Sequence, residues 1–134
     1  MKTLRSDKGC PWDKEQTHFS LLKYLKEESE ELSQAVQKKD WFNLQEELGD
    51  VLLQVIFHSQ MASEKGAFHI SDVIDTLAKK LTLRHPHVFG SQKNKKWTSQ
   101  DVKDNWNDLK TKEKFWKDKA SKKLNLRMRK VELI

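Results

Sequence analysis

Leu21, Leu25, Leu32 and Val36 recur at helical spacing, and this apolar stripe predicts a helix over residues 17–38 with Thr17 as its N-cap. Lys38-Lys39-Asp40 reads as a short connection, with Asp40 capping a second helix over 41–64. That helix carries Leu44, Leu48, Val51, Leu52, Val55, Ile56 and Met61, with Leu53 and Phe57 on its other side. Being apolar nearly all round in its second half, it is expected to be central and buried. Gly66 is placed to end it, and Ser71 to cap a third helix whose inner face is Val73, Ile74, Leu77, Ala78 and Leu81. Pro86 stops the third helix. A lysine-rich connector over 91–97 leads to Thr98-Ser99-Gln100-Asp101, which has the form of a capping box. Val102, Trp106 and Leu109 give a fourth helix, and past Lys117 the pattern weakens to a helical or frayed basic end. With no internal repeat and no period-2 strand, the expected fold is all-α and four-helix-bundle-like.

Composition narrows the class. A chain of 134 residues suits one domain, read here as residues 1–134, and its 36% hydrophobic content leaves few apolar groups to misplace. Four glycines and two prolines exclude collagen-like and turn-dense all-β designs. The longest apolar stretch, 51–57, is interrupted by Gln54, and the N-terminus MKTLRSDKG lacks a signal peptide's apolar core. A cytoplasmic protein without a membrane segment is expected. Cys10 is the sole cysteine, so no intrachain disulfide and no cysteine-rich zinc site can form. The net charge of +6 divides unevenly: −2 over residues 1–90 and +8 over 91–134. Such an end suits nucleic acid, a nucleotide or another anion, and equally a solvated helix.

The placement of certain carboxylates is more informative. Glu28 sits inside the apolar stripe of the first helix, Glu31 lies one turn along, and Glu27 flanks Glu31 at four-residue spacing. Glu47 and Asp50 repeat the arrangement on the second helix. If the two helices are antiparallel neighbours, ExxE faces ExxD across their seam. Two like charges about 4 Å apart repel by roughly 1 kcal/mol in water and about 4 kcal/mol at an effective dielectric of 20. Several such pairs weigh against a fold worth about 5–15 kcal/mol. Protonation, an intervening lysine or a bound divalent cation would each offset the repulsion. Magnesium suits an all-oxygen site best, and zinc less well without sulfur or imidazole. On their own, glutamate-rich helices are also common as solvated faces.

The runs CPWDKEQTH, EESEEL, EELGDVLLQVIFH and the stretch ending RHPHVFG resemble the MazG family of nucleoside triphosphate pyrophosphohydrolases over about residues 9–114, leaving 115–134 as a basic extension. The resemblance implies an all-α pyrophosphatase fold, a homodimer, and Mg²⁺ as cofactor with Mn²⁺ as a substitute. It also implies cleavage of nucleoside triphosphates to the monophosphate and pyrophosphate. Long members carry two copies of the domain; this chain carries one, most like the first. Asn43 stands where some members have a lysine near the phosphates.

Carried over by the resemblance, Glu28, Glu31, Glu47 and Asp50 match the metal ligands, and Lys80 and Arg84 match a basic pair that holds phosphates. Trp106 and Lys110 match a W-x-x-x-K element associated with nucleotide binding. Glu27 borders the acidic set without being needed as a ligand and is the candidate to orient or deprotonate the attacking water. Taken alone, Lys80 and Arg84 also fit surface cations, Trp106 fits a core residue, and His85 and His87 fit a helix-ending element around Pro86. Two other classes stay open. One is a helical protein that binds nucleic acid through its basic end and Trp97, Trp106 and Trp116. That reading leaves the opposed carboxylates without a role. The other is a regulatory protein that binds nucleotide without cleaving it. Finally, an apolar second helix and five tryptophans exceed what four short helices cover, which independently points to a dimer.

Overall fold

The computed structural model describes residues 1–93 and 95–128, Arg127 through its backbone alone. The described residues contain helices and no strand, so the all-α expectation holds. The elements are α1 Pro11–Glu15, α2 Leu22–Lys38, α3 Trp41–Glu64, α4 Ile70–Arg84, α5 Pro86–Phe89, α6 Ser99–Asp104 and α7 Trp106–Arg127. No helix among them is long and apolar enough to cross a membrane.

Among the described residues seven helices stand where the pattern predicts four, and local chemistry explains the difference. Pro11 and Pro86 each open a single-turn helix, where a missing N–H costs nothing. α2 starts at Leu22 rather than beside Thr17. Thr17 and Ser20 instead satisfy each other: the Thr17 N–H donates to Ser20 Oγ at 2.9 Å and the Ser20 N–H to Thr17 Oγ1 at 3.1 Å. This closed turn delays the helix. Ser71 likewise lies within α4, which begins at Ile70. The expected fourth helix is divided at Asn105, whose side-chain amide donates back to the Asp101 carbonyl at 2.8 Å. The basic end is helical through Arg127.

The remaining boundaries follow the sequence. The Thr98–Asp101 capping box forms with both hydrogen bonds. Gly66, at φ 66°, ends α3; its N–H donates to the Ser63 carbonyl and that of Ala67 to Ala62, both at 2.9 Å. The α2–α3 link repeats this device with Lys39 in the left-handed region at φ 56°. Asp40 then caps α3 by accepting from the Asn43 N–H at 3.1 Å. So short a link makes α2 and α3 an αα-hairpin, packed along its length.

The described chain forms two compact units. Met1–Ile70 comprises the lead-in and the α2–α3 hairpin, and the second unit begins at Ser71 and runs through α7. The first unit has a small core of Leu21, Phe57 and Met61, against which Met1 and Tyr24 pack. Arg5 clasps the lead-in to α3: Nε and Nη2 donate to the Glu64 carboxylate at 2.9 Å, and Nη1 donates to the Asp13 and Gln16 carbonyls. In the second unit, Leu109 is the buried hydrophobic residue.

α3 corrects one expectation. Only its C-terminal half is covered, at Phe57, Met61 and Ala62, whereas Leu48 and Leu52 are 53% and 55% exposed. Trp41 and Phe42 at its start stand 82% and 75% exposed. α4 also buries no residue; Ile74, Leu77 and Leu81 of its apolar stripe are exposed. The stripes are present, and these residues of both are exposed.

Candidate metal and nucleotide site

The hairpin sets the site. With α2 and α3 packed side by side, the carboxylates of Glu28, Glu47 and Asp50 converge, each offering an oxygen within 4.8 Å of the others. All three side chains are half-buried. Burial pushes the Glu28 carboxyl above the usual carboxylate range, and the charges of Asp50, Glu31, Glu47 and Glu27 add to this in that order. Glu47 is pushed up in the same way, by desolvation first and then by Glu31, Asp50 and Glu46. Glu47 Oε2 is buried and accepts no hydrogen bond. A buried carboxylate oxygen without a donor is costly unless a cation or proton meets it. The donors are all hard oxygens, the set magnesium or calcium prefers over softer metals. The residues present therefore fit a divalent cation.

Glu31 does not join the three. It is exposed and lies at the rim, where with Gln34, Ala35, Lys38, Asn43 and Glu47 it lines an open recess of about 180 Å³. Lys38 thus stands at the recess together with Asn43. The Asn43 side-chain amide is held by Asp40 at 3.0 Å. Glu27 is exposed beside Glu28.

Three of the sequence-predicted basic and aromatic residues, Arg84, Trp106 and Lys110, meet in the second unit. The Arg84 guanidinium lies over the Trp106 ring at 5.0 Å from its centroid, and the Lys110 ammonium lies 5.7 Å from the same centroid. Trp106 and Lys80 are half-buried and Lys110 is exposed. Arg84 is also paired through Nε with Glu113 at 2.5 Å. Sequence reasoning missed Glu113, which lies in the run KTKEKFWKDK and is 1% exposed. The available signal was its four-residue spacing to Lys117, with which it also pairs. Around Pro86, His87 stacks on Trp97 at 4.6 Å, in keeping with a structural role for that element.

Sequence comparison assigns this all-helical chain with its acid-lined αα-hairpin to a family. The family model of the MazG nucleotide pyrophosphohydrolase domain matches residues 16–89, more than half of the chain, and the chain belongs to that family. It is 52% identical over 114 residues to a nucleoside triphosphate pyrophosphohydrolase/pyrophosphatase MazG of Thermotoga maritima, covering 85% of this chain and 42% of that protein. It is 41% identical over 122 residues to a nucleoside triphosphate pyrophosphohydrolase of Escherichia coli K12, covering 90% of this chain and 46% of the relative. An uncharacterized Bacillus subtilis protein, YabN, is 47% identical over 114 residues, 85% of this chain and 23% of its own length. The chain therefore spans less than half the length of these relatives.

Proposed function

We propose that this chain is a Mg²⁺-dependent nucleoside triphosphate pyrophosphohydrolase that converts an NTP or dNTP to its monophosphate and pyrophosphate. The observation that carries the reading is the convergence of Glu28, Glu47 and Asp50 with one buried carboxylate oxygen left unpartnered. Family membership and relatives named as pyrophosphohydrolases support it. It also gives the opposed acids a role, which the nucleic-acid-binding alternative does not.

In this reading Glu28, Glu47 and Asp50 would hold the cation, with Glu31 at the rim as the fourth carboxylate of the set. The cation supplies charge neutralisation and polarisation at the phosphate oxygens. Glu27 orients the water and accepts its proton as the water oxygen bonds to the α-phosphorus. The bond from that phosphorus to the bridging oxygen breaks, and pyrophosphate leaves. Lys80 and Arg84 bind the phosphate tail, Arg84 in bidentate fashion, while Trp106 stacks on the base and Lys110 adds a further cation. The family match crosses both compact units, which supports reading residues 1–134 as one MazG-type domain.

The same reading includes a homodimer in the cytoplasm. Exposed Trp41, Phe42, Leu48, Leu52 and Ile74 are the apolar surface a second copy would cover, and sedimentation of the full chain tests this. For the activity, pyrophosphate release is measured from a panel of NTPs and dNTPs with and without Mg²⁺. Release that needs Mg²⁺ and falls at least about 100-fold in Asp50→Asn is expected. Unchanged turnover in Glu47→Gln and Asp50→Asn would remove the metal site.

A further inference from the structure

Glu113 is the most buried carboxylate among the described residues, at 1% exposure, and it lies on a lysine-rich helix. Buried acids persist when their charge is met on each oxygen. Here Oε2 accepts from Arg84 Nε at 2.5 Å, and Oε1 faces Lys117 Nζ at 2.5 Å, one turn along α7. The Lys117 ammonium on Oε1 and the Arg84 guanidinium on Oε2 hold the carboxyl below its usual range, so it is an anion at neutral pH.

What this does to Arg84 is the point of interest. A guanidinium has five N–H donors, one on Nε and four on the two terminal nitrogens. Glu113 takes the Nε donor, and among the described residues no hydrogen bond uses Nη1 or Nη2. The guanidinium face is meanwhile held on the Trp106 ring at 5.0 Å. One edge and one face are therefore fixed by residues of α7, and the remaining edge keeps the parallel pair of donors that matches two phosphate oxygens. Had the carboxylate taken both terminal nitrogens instead, Arg84 would be spent on an internal ion pair.

We infer that Glu113 is a positioning residue: it anchors Arg84 by Nε on the Trp106 face so that the terminal guanidinium edge is kept for the polyphosphate of the substrate. The inference rests on the pyrophosphohydrolase reading given above and adds to it a residue that makes no contact with substrate. A plain ionic staple between α4 and α7 would use the same contacts, and the two roles separate by experiment.

The full-length chain is compared with Glu113→Gln, Glu113→Leu, Arg84→Lys and the Glu113→Leu/Arg84→Lys double variant. Three quantities are read: the affinity for inorganic tripolyphosphate with Mg²⁺ by calorimetry, KM and kcat for the best NTP of the panel, and the melting temperature. Glutamine keeps an acceptor for Nε, whereas leucine keeps volume and removes it. Affinity for tripolyphosphate is expected to fall in the order Glu, Gln, Leu, by about tenfold for leucine, with KM rising in step and kcat within about twofold. On the Arg84→Lys background the leucine substitution is expected to change affinity by less than twofold, since lysine has no edge to align. If Glu113→Leu lowers the melting temperature but leaves affinity and KM within twofold, or if its effect adds fully to that of Arg84→Lys, the positioning role is overturned. Should Glu113→Leu fail to fold, Glu113→Gln decides on the same criteria. If Arg84→Lys itself leaves tripolyphosphate affinity unchanged, the guanidinium edge contributes nothing and the positioning role is overturned. Loss of Mg²⁺-dependent pyrophosphate release in the parent is what would overturn the pyrophosphohydrolase reading. If only the Glu113 variants are silent, the pyrophosphohydrolase reading stands without this residue.

Discussion

Glu28 on α2 and Asp50 on α3 bring carboxylate oxygens within 4.8 Å, and of the neighbouring charges Asp50 does most to raise the Glu28 carboxyl. Because the folded pKa lies above the unfolded one, ionising Glu28 opposes folding: the penalty is absent below the ordinary carboxylate range and grows as pH rises through the folded value. The metal-free chain carries it once the pH exceeds the folded value. Glu28→Gln is therefore expected to raise the melting temperature of the metal-free protein while abolishing its response to Mg²⁺. The parent should gain about 2.7 kcal/mol at a Mg²⁺ concentration 100 times Kd. Differential scanning calorimetry with and without Mg²⁺ checks both signs. A Gln variant that is less stable without metal, or still stabilised by it, contradicts the arrangement.

The Arg5–Glu64 clasp has the opposite sign. Arg5 hydrogen bonds hold the Glu64 carboxyl below its usual range, against the smaller upward push of desolvation. Its contribution is present above the ordinary carboxylate pKa of about 4.3 and is lost as pH falls through the lower folded value. Arg5 also satisfies two backbone carbonyls of the lead-in, at Asp13 and Gln16. Arg5→Ala is expected to cost about 2–3 kcal/mol in urea unfolding at pH 7. Arg5→Lys should recover only part, since a lysine cannot span carboxylate and carbonyls together. The difference between Arg5→Ala and parent should shrink below about pH 4.

His18, in the turn before α2, and His58, on α3, place their Nδ1 atoms 2.7 Å apart with their rings stacked. One Nδ1 must donate and the other accept, so the contact requires at least one neutral ring. Burial lowers both imidazoles, and His18 is lowered further by the charges of His58, Lys65 and Arg5. A lowered histidine pKa means that the unfolded chain takes up protons first as pH falls. Stability is thus full above about 6.5 and declines as pH falls from there through the folded values. Unfolding free energies of the parent should decline over this window, and those of His58→Leu should be flatter. An equal slope in both would show that the pair does not titrate with folding.

The acid cluster was legible because period 3.6 applies to charges as well as to apolar groups: Glu28 falls inside the stripe of Leu21, Leu25 and Leu32, so its burial follows from spacing. Glu31, one turn along and outside that stripe, is exposed. Thr17 misled because its side chain closes a turn with Ser20 instead of capping a helix directly. At Glu113 the spacing to Lys117 was legible, but the burial was not. That burial depends on Arg84 arriving from another helix, and no pattern within α7 announces a partner 29 positions away. Apolar periodicity predicted the stripes of α3 and α4 but not their exposure, since whether a stripe is covered depends on surfaces outside the helix.

Lys39 offers a test of the hairpin that carries the acids. It is the described non-glycine residue with positive φ, at 56°, and it terminates α2 while the Asp40 N–H donates to the Ala35 carbonyl at 3.0 Å. A left-handed conformation costs an L-residue about 1–2 kcal/mol, whereas glycine adopts it freely but loses about 0.5–1 kcal/mol more chain entropy on folding. The difference predicts that Lys39→Gly stabilises the protein by about 0.5–1 kcal/mol. Since the Lys39 side chain is exposed and is not among the acids or the residues of their recess, pyrophosphate release should be unchanged. Lys39→Val carries a β-branched side chain into the same φ and should lose about 1 kcal/mol or more, with the acids less firmly apposed and Mg²⁺-dependent stabilisation reduced. Chemical denaturation of the three proteins, each with and without Mg²⁺, separates the two effects. A destabilised glycine variant would mean that the link between α2 and α3 is not the tight left-handed turn described here.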